Sequence, residues 1–206
     1  MSQKGLFITF EGPDGSGKST QITLLKNYLK GNGYKAVLTR EPGGTPISEK
    51  IRDIILDKAN SEMSYMTEAL LYAASRAQHV DQVIRPALSL GQMVISDRFV
   101  DSSIVYQGCG RKLGDSVEII NRYAMGDCVP DVTFLLKLDP KIGIKRASGG
   151  VPDRIESEKL SYHRDVYDAY IKLEKKYPRR IVGIDASGGI EQIHKEITDR
   201  IDELLK

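Results

Sequence analysis

Cysteine is scarce in this sequence, and long apolar runs are missing. The 206 residues include only Cys109 and Cys128, without a Cys-x-x-Cys pair or a companion cluster of histidines. This usage argues against a disulfide scaffold and a zinc site and is typical of a reducing compartment. No apolar run approaches the ~20 residues of a membrane-spanning helix, and the first predicted strand starts at Leu6, which leaves no room for a signal peptide. We therefore expect a cytoplasmic protein that does not bind membranes.

A strong net charge of either sign is also missing. Thirty basic and 28 acidic side chains give a formal net charge of +2. This balance argues against a protein that binds nucleic acid through a large basic surface, so an acidic ligand would have to be held locally. The length predicts one domain over residues 1–206, or one domain with a mobile part.

The sequence does contain a glycine-rich segment between an apolar run and an amphipathic run, within Phe7–Lys26. The spacing Gly12-x-x-x-x-Gly17-Lys18-Ser19 matches the phosphate-binding loop. In that loop, inward-facing backbone amides and the start of the next helix hold anionic oxygens. Lys18 would reach the outer phosphates and the Ser19 hydroxyl would ligate Mg²⁺. An ordinary turn is the alternative, but strand, loop and helix occur in the order that the motif requires.

Apolar runs bounded by turn residues alternate with segments of helical periodicity. The predicted strands are Leu6–Phe10, Ala36–Arg40, Met93–Ser96, Val132–Leu138 and Ile181–Ile184, and the predicted helices are Ser19–Lys30, Ile47–Asp57, Thr67–Leu90, Ser116–Met125, Lys141–Ala147, Glu158–Tyr177 and Ile190–Leu205. This alternation predicts an α/β fold with a parallel sheet flanked by helices. In such a sheet, ligands bind at the carboxyl ends of the strands, where the glycine-rich loop also lies.

Polar residues follow the predicted strand at Met93–Ser96. Asp97 at the end of that strand is placed to hold Mg²⁺, and Arg98 could bind a second phosphate. Ser103, Tyr106 and Gln107 share one face of the following helical turn and could line a polar pocket. Surface residues are the alternative for all five, but their place after an apolar strand favours a site.

The long predicted helix carries Tyr72 and Arg76, four residues apart and so on one side. An aromatic ring beside a planar donor group suits a nucleobase, although a plain surface pair has the same spacing. His79 lies on the same face and is interpreted as structural, as a helix cap or a core hydrogen bond.

Two loops carry further charges. The first, Pro42-Gly43-Gly44, lies at the ligand-binding edge between Glu41 and Arg52; a simple linker turn is an equal alternative. The second, "RASGGVPDR", contains Arg146 and Arg154 and predicts a mobile lid around residues 146–157. A mobile arginine can stabilise the charge on a migrating phosphoryl group, although basic loop residues are often merely solvated.

Taken together, these segments resemble one family along almost the whole chain. The motifs "FEGPDGSGKST", "TREPGGT", "AASRAQHV", "SDRFVDSSIVYQG", "PDVTFLL" and "DRIE" occur in the order and at the spacing of bacterial thymidylate kinases, which are P-loop nucleoside-monophosphate kinases. The resemblance implies five parallel strands in a P-loop fold with a short lid. It also implies transfer of phosphate from ATP to dTMP for dTTP synthesis, a requirement for Mg²⁺, and a homodimer.

The resemblance also assigns residues. ATP would contact Gly12, Pro13, Asp14, Gly15, Ser16, Gly17, Lys18, Ser19, Thr20 and Arg146, and Mg²⁺ would contact Ser19 and Asp97. The substrate dTMP would contact Asp14, Glu41, Arg52, Tyr72, Arg76, Arg98, Ser103, Tyr106 and Gln107. The expected catalytic set is Lys18, Arg98, Asp14, Arg154 and Arg146. Within the pocket, Tyr72 would stack on thymine and Arg76 would bind its edge, while Tyr106 would lie near the 2′ position of the sugar.

Three positions depart from the family pattern. Tyr72 stands where phenylalanine is more usual, Phe99 stands where tyrosine is more common, and the lid has few arginines. The glycine-rich loop itself has no arginine, so the resemblance implies that the lid supplies the catalytic one. Arg154 is the first candidate and Arg146 the second, although Arg146 could instead lie against adenine.

Two other functions share some of these features. A kinase for dCMP or for a deoxynucleoside would have the same ATP-binding half and would differ only in the residues around the base. A nucleotide-dependent switch would also contain the loop, but the sequence has no Asn-Lys-x-Asp tetrapeptide for guanine, and the base-pocket residues would have no role.

Overall fold

The computed structural model describes residues 5–147 and 152–206. Its centre is a five-stranded parallel sheet in the order β2-β3-β1-β4-β5. The strands are β1 (Phe7–Glu11), β2 (Ala36–Arg40), β3 (Met93–Asp97), β4 (Val132–Lys137) and β5 (Ile181–Asp185). Because β1 is the middle strand, the loop that follows it opens at the centre of the carboxyl edge of the sheet.

Helices connect the strands and cover both faces of the sheet. They are α1 (Lys18–Gly31), α2 (Pro46–Leu56), α3 (Tyr65–His79), α4 (Arg85–Ser89), α5 (Val100–Ser103), α6 (Asp115–Met125), α7 (Pro140–Ala147), α8 (Leu160–Lys176) and α9 (Ile190–Leu204). Two π-helical turns, Val80–Ile84 and Ile104–Gly110, extend α3 and α5. The expected α/β class with five parallel strands is confirmed.

Alternate residues of β1 divide the core into two layers. Ile8 and Phe10 are fully buried on the face that packs against α1 and α9. Phe7 points the other way and packs against the α3–α4 region, where its ring meets Phe99 edge-on at 4.8 Å between ring centres. A third apolar cluster joins α8 to the π-helical turn after α5 and includes Tyr106 and Tyr170. The sheet is therefore a rigid base for residues at its carboxyl edge.

Element boundaries differ from the predictions in two informative places. Strand β1 extends to Glu11, because Glu11 still pairs with Leu135 of β4. The helix predicted over Thr67–Leu90 is instead α3, a π-helical turn and α4. Pro86 explains the change, since a proline cannot donate to the carbonyl four residues before it and a widened turn accommodates that loss. Among the residues that the structure describes, none of the helices has both the length and the apolar character needed to cross a bilayer.

Candidate active site

The glycine-rich loop ends where α1 begins. Gly17 has a left-handed backbone with φ 92°, and no side chain caps the amides of the first turn of α1. Those amides therefore remain available for an anionic ligand. The Lys18 amine folds back over the loop and donates to the carbonyls of Gly12 at 3.2 Å and Pro13 at 3.1 Å. Burial and the charge of Arg98 lower the pKa of the Lys18 amine to about 8.

Two glycines let the loop lie directly against neighbouring backbone. A Cβ atom added to Gly12 would come within 2.4 Å of the Leu136 carbonyl oxygen. One added to Gly15 would come within 2.3 Å of the Gly143 carbonyl oxygen on α7. The loop is therefore held between the end of β4 and helix α7, and this contact brings the exposed Arg146 of α7 to the loop.

Two polar oxygens near the loop have no hydrogen-bond partner within the described part of the chain. They are the Ser16 hydroxyl and Oδ1 of Asp97, and both are buried. Asp97 lies at the end of β3 and lines one cavity together with Lys18, Ser19, Thr20 and other loop residues. The free carboxylate oxygen of Asp97 and the hydroxyl of Ser19, at the start of α1, line the same cavity. Oxygen donors of these two kinds suit Mg²⁺, which completes its shell with waters and phosphate oxygens.

Arg98 joins the loop to the next cavity. Its backbone is left-handed with φ 67°, and its guanidinium donates to Asp14 at 2.6 Å, Ser102 at 3.2 Å and Tyr170 at 3.4 Å. The same group lies 5.3 Å from the centre of the Tyr106 ring. Burial by itself would raise the pKa of the Asp14 carboxyl, but the charges of Arg98 and Lys18 outweigh it and lower that pKa to about 2.

Glu11 supports this arrangement, and the sequence analysis missed it. Its fully buried carboxylate accepts hydrogen bonds from the Phe99 amide at 2.8 Å, the Ser102 hydroxyl at 2.6 Å and the Tyr170 hydroxyl at 2.7 Å. Burial, reinforced by the charge of Asp101, raises the pKa of Glu11. The reasoning used for Asp97, a carboxylate at the end of a strand beside the loop, applies equally to Glu11 and could have found it. No pattern in the sequence links Tyr170, which lies on α8, to this cluster.

A second cavity adjoins the loop cavity. Asp14, Glu41, Arg52 and Arg98 line both. The farther walls of the second cavity are formed by Tyr72, Arg76, Phe99, Tyr106, Gln107 and residues 153, 155 and 156. The structure thus brings most of the predicted dTMP-binding residues to one cavity beside the phosphate-binding loop.

Arg76 is almost fully buried and held by several acceptors. Its Nε and Nη2 atoms lie 2.8 Å and 2.7 Å from Oε2 of Glu41, and its Nη1 donates to Ser103 at 3.0 Å and to Asn121. Ser103 therefore supports Arg76 and is not among the residues that line the cavity. The other oxygen of Glu41 lies 2.9 Å from Nδ1 of His79.

The structure also shows where His79 and the proline-glycine bend lie. His79 is buried, and its Nε2 lies 2.6 Å from the Thr39 hydroxyl, so its role is the core hydrogen bond that was expected. The proline-glycine bend after Glu41 lies at the cavity, where Arg52 donates to the Pro42 carbonyl at 2.9 Å. The position of the bend at the cavity favours a role at the ligand-binding edge over a simple linker turn.

The two lid arginines lie in different places. Arg146 lines the loop cavity. Arg154 is nine-tenths buried elsewhere: its Nε donates to the Ile55 carbonyl at 2.8 Å, and its Nη2 lies 2.7 Å from the carboxylate of Glu68. Of these two arginines, Arg146 is the one that lies at the loop in this conformation. The lid residues between them, 148–151, are outside the described residues.

Comparisons with known proteins point to one family. The sequence model of the family described as "Thymidylate kinase" matches residues 10–197. A thymidylate kinase of Lactobacillus delbrueckii subsp. bulgaricus is 53% identical over 195 residues, covering 92% of each chain. Those of Symbiobacterium thermophilum and Caldanaerobacter subterraneus subsp. tengcongensis are 49% and 47% identical, covering 97% and 98% of this chain and 94% and 98% of their own lengths.

Proposed function

Because this chain belongs to the thymidylate kinase family, we propose that it transfers the γ-phosphoryl group of ATP to dTMP, giving ADP and dTDP for dTTP synthesis. The observation that carries this proposal is the pair of adjoining cavities with four shared charged walls, Asp14, Glu41, Arg52 and Arg98. The γ-phosphate of ATP bound on the loop and the phosphate of dTMP bound in the second cavity would lie next to each other beside these four residues.

The reaction needs no nucleophile from the protein. An oxygen of the dTMP phosphate, already anionic near neutral pH, forms a bond to the γ-phosphorus of ATP. The bond from that phosphorus to the β,γ-bridging oxygen breaks, and ADP leaves with the electron pair. Catalysis then consists of aligning the two phosphates and stabilising the charge between them.

Three basic side chains are suited to that task. Lys18 lies over the loop, where it can bind the β- and γ-phosphates. Arg98, oriented by Glu11 and Asp14, can bind the acceptor phosphate. Of the two lid arginines, Arg146 lines the loop cavity and can reach the transferred group, whereas Arg154 would have to leave Glu68 to take that role. These roles remain proposals, as does a single nucleotide-kinase domain with a mobile lid around residues 146–157.

Mg²⁺ is proposed to accompany ATP. The unpartnered Oδ1 of Asp97 and the hydroxyl of Ser19, both in the loop cavity, would hold it directly or through water. When bound, Mg²⁺ would neutralise charge on the β- and γ-phosphates. Exclusion of water by the closed lid would protect the phosphoryl group from hydrolysis.

A homodimer is proposed from exposed apolar side chains on three neighbouring helices. The helices α2, α3 and α6 pack side by side, and they expose Ile47, Ile54, Met66, Leu70, Ile119 and Tyr123. A second copy would cover this surface; sedimentation should give a dimer in the wild type and a monomer in Leu70→Lys. A cytoplasmic location is proposed from the scarcity of cysteine.

The function is tested by measuring ADP release from MgATP with dTMP, dUMP, dCMP, UMP, thymidine or no acceptor. We expect strong stimulation by dTMP and little by UMP or thymidine. Equal slow release with every acceptor and with none would overturn the proposal and favour a nucleotide-dependent switch. Preferential stimulation by dCMP or thymidine would replace it with a different kinase.

A further inference from the structure

A buried carboxylate on α3 lies behind the second cavity, called the base cavity from here on because the proposed function assigns the thymine base to it. Glu68 is fully buried, one helical turn before Tyr72, and is not itself among the residues lining the cavity. Its Oε1 accepts a hydrogen bond from Nε2 of Gln107 at 2.8 Å and lies 3.3 Å from Nε of Arg111, and its Oε2 lies 2.7 Å from Nη2 of Arg154. Two arginines therefore balance the charge of Glu68, and the uncharged amide of Gln107 donates to the same carboxylate oxygen as Arg111.

The contact with Glu68 determines which way the Gln107 amide faces. An ionised carboxylate accepts hydrogen bonds and cannot donate them, so the amide nitrogen of Gln107 must face Glu68. Its Oε1 then points away from Glu68, and Gln107 is part of the cavity wall. None of the hydrogen bonds found within residues 5–147 and 152–206 uses that oxygen, which leaves it as an acceptor for a ligand.

Arg76 supplies the complementary donor. Protein acceptors take its Nε hydrogen and both Nη1 hydrogens. Nη2 lies 2.7 Å from Oε2 of Glu41, an ion pair that can use one of its two hydrogens, so at least one N–H of Nη2 is left. The cavity therefore presents a donor from Arg76 and an acceptor from Gln107. A pyrimidine ring with a carbonyl beside an N–H group matches this pair, whereas cytosine has an amino group beside an unprotonated nitrogen and presents the reverse pattern.

We infer that Glu68 is a positioning residue that sets the polarity of this edge and thereby selects dTMP against dCMP. The inference rests on the proposed function. An amide at position 68 would not replace the carboxylate, because its –NH₂ group would face either the donors of Gln107 and Arg111 or the donor of Arg154. A flipped Gln107 would then turn its own –NH₂ group toward the base, where it disfavours the thymine N–H and suits cytosine.

The test compares kcat/KM for dTMP with kcat/KM for dCMP in the wild type, Glu68→Gln and Glu158→Gln. Glu158 is a matched control, because its carboxylate also accepts a hydrogen bond from Arg111, at 2.5 Å, and no hydrogen bond within the described residues joins it to Gln107. We expect Glu68→Gln to lower the dTMP-to-dCMP ratio by about tenfold or more, since a site built for one hydrogen-bonding pattern rejects the other strongly. Glu158→Gln should leave the ratio unchanged.

A purely structural role for Glu68 would weaken both substrates alike, so an unchanged ratio in folded Glu68→Gln would overturn the inference. If circular dichroism shows that this variant does not fold, Glu68→Asp takes its place, since it keeps the charge but is too short to hold Gln107. If the dTMP-to-dCMP ratio of kcat/KM does not fall in Glu68→Asp, the inference is wrong. Absence of dTMP-dependent turnover in the wild type would instead contradict the proposed function.

Discussion

The phosphate-binding loop and the base cavity achieve their geometry in different ways. The loop is one continuous stretch, Gly12–Thr20. Its uncapped backbone amides and one lysine, whose partners lie within the same stretch, are proposed to hold phosphate. The base cavity depends on side chains from distant elements, and a second set of buried residues holds them in place. The difference shows that a backbone site is encoded locally, whereas a side-chain site also depends on residues that never touch the ligand.

Removing the Lys18 side chain from the loop should have the largest effect on catalysis. We expect Lys18→Ala to lower kcat by about 1,000-fold or more, because the charge on the transferred phosphoryl group loses a preorganised partner. The fold should persist, since the hydrogen bonds and ion pairs of Lys18 with the described residues go to loop carbonyls and Asp14. The measurements are steady-state kinetics and circular dichroism, with the exposed Lys26→Ala on the same helix as control. Near-normal turnover in folded Lys18→Ala would remove the lysine from the mechanism.

Gly15→Ala tests whether the loop depends on close backbone contact as well as on its own conformation. Gly15 and Gly33 both have positive φ, but an added Cβ has nothing within 4 Å at Gly33. We expect Gly33→Ala to lower the free energy of unfolding by about 1–2 kcal/mol through backbone strain alone. Gly15→Ala should cost about 1–3 kcal/mol more through crowding against α7 and should raise the KM for ATP. Urea denaturation would show equal losses if the contact with Gly143 had no role.

The Asp14–Arg98 pair, where the two sites meet, should show a pH-dependent contribution to stability. The folded pKa of Asp14 is about 2, below the ordinary value of roughly 4, so its stabilisation is present above about pH 4 and is lost as pH falls toward 2. We expect Asp14→Asn to lower the free energy of unfolding by no more than about 1 kcal/mol at pH 7, because the carboxylate is partly exposed. This difference from wild type should shrink toward pH 3.

The matched control for that pair is the exposed Asp53→Asn on α2. Denaturation curves between pH 7 and pH 3 compare both variants with the wild type. An Asp14→Asn difference that stayed constant, or that grew on acidification, would contradict the lowered pKa.

The smallest effect is expected at the unusual tyrosine of the base cavity. Tyr72→Phe keeps the ring and should change the KM for dTMP by less than about twofold. Tyr72→Ala removes the ring and should weaken dTMP binding by about 1–3 kcal/mol if the ring stacks on the base. Calorimetric titration with dTMP measures both, and a large loss in Tyr72→Phe would show that the hydroxyl contacts the substrate.

Sequence reasoning was most successful where function depends on residues close together in the chain. Strand–loop–helix order identified the phosphate-binding loop, and alternating apolar segments predicted the parallel sheet. It was less successful for partners far apart: the contact of Glu11 with Tyr170 spans 159 positions. It also placed both lid arginines in one functional segment, whereas only Arg146 lines the loop cavity.

The sequence by itself determined the fold class, the loop and the family, because spacing and periodicity are properties of neighbouring residues. Only the tertiary structure decided which side chains face the base cavity, which way the Gln107 amide points, and that Arg154 is paired with Glu68. Those features depend on hydrogen bonds between buried groups from separate elements. Their geometry exists only after the sheet and helices have packed together.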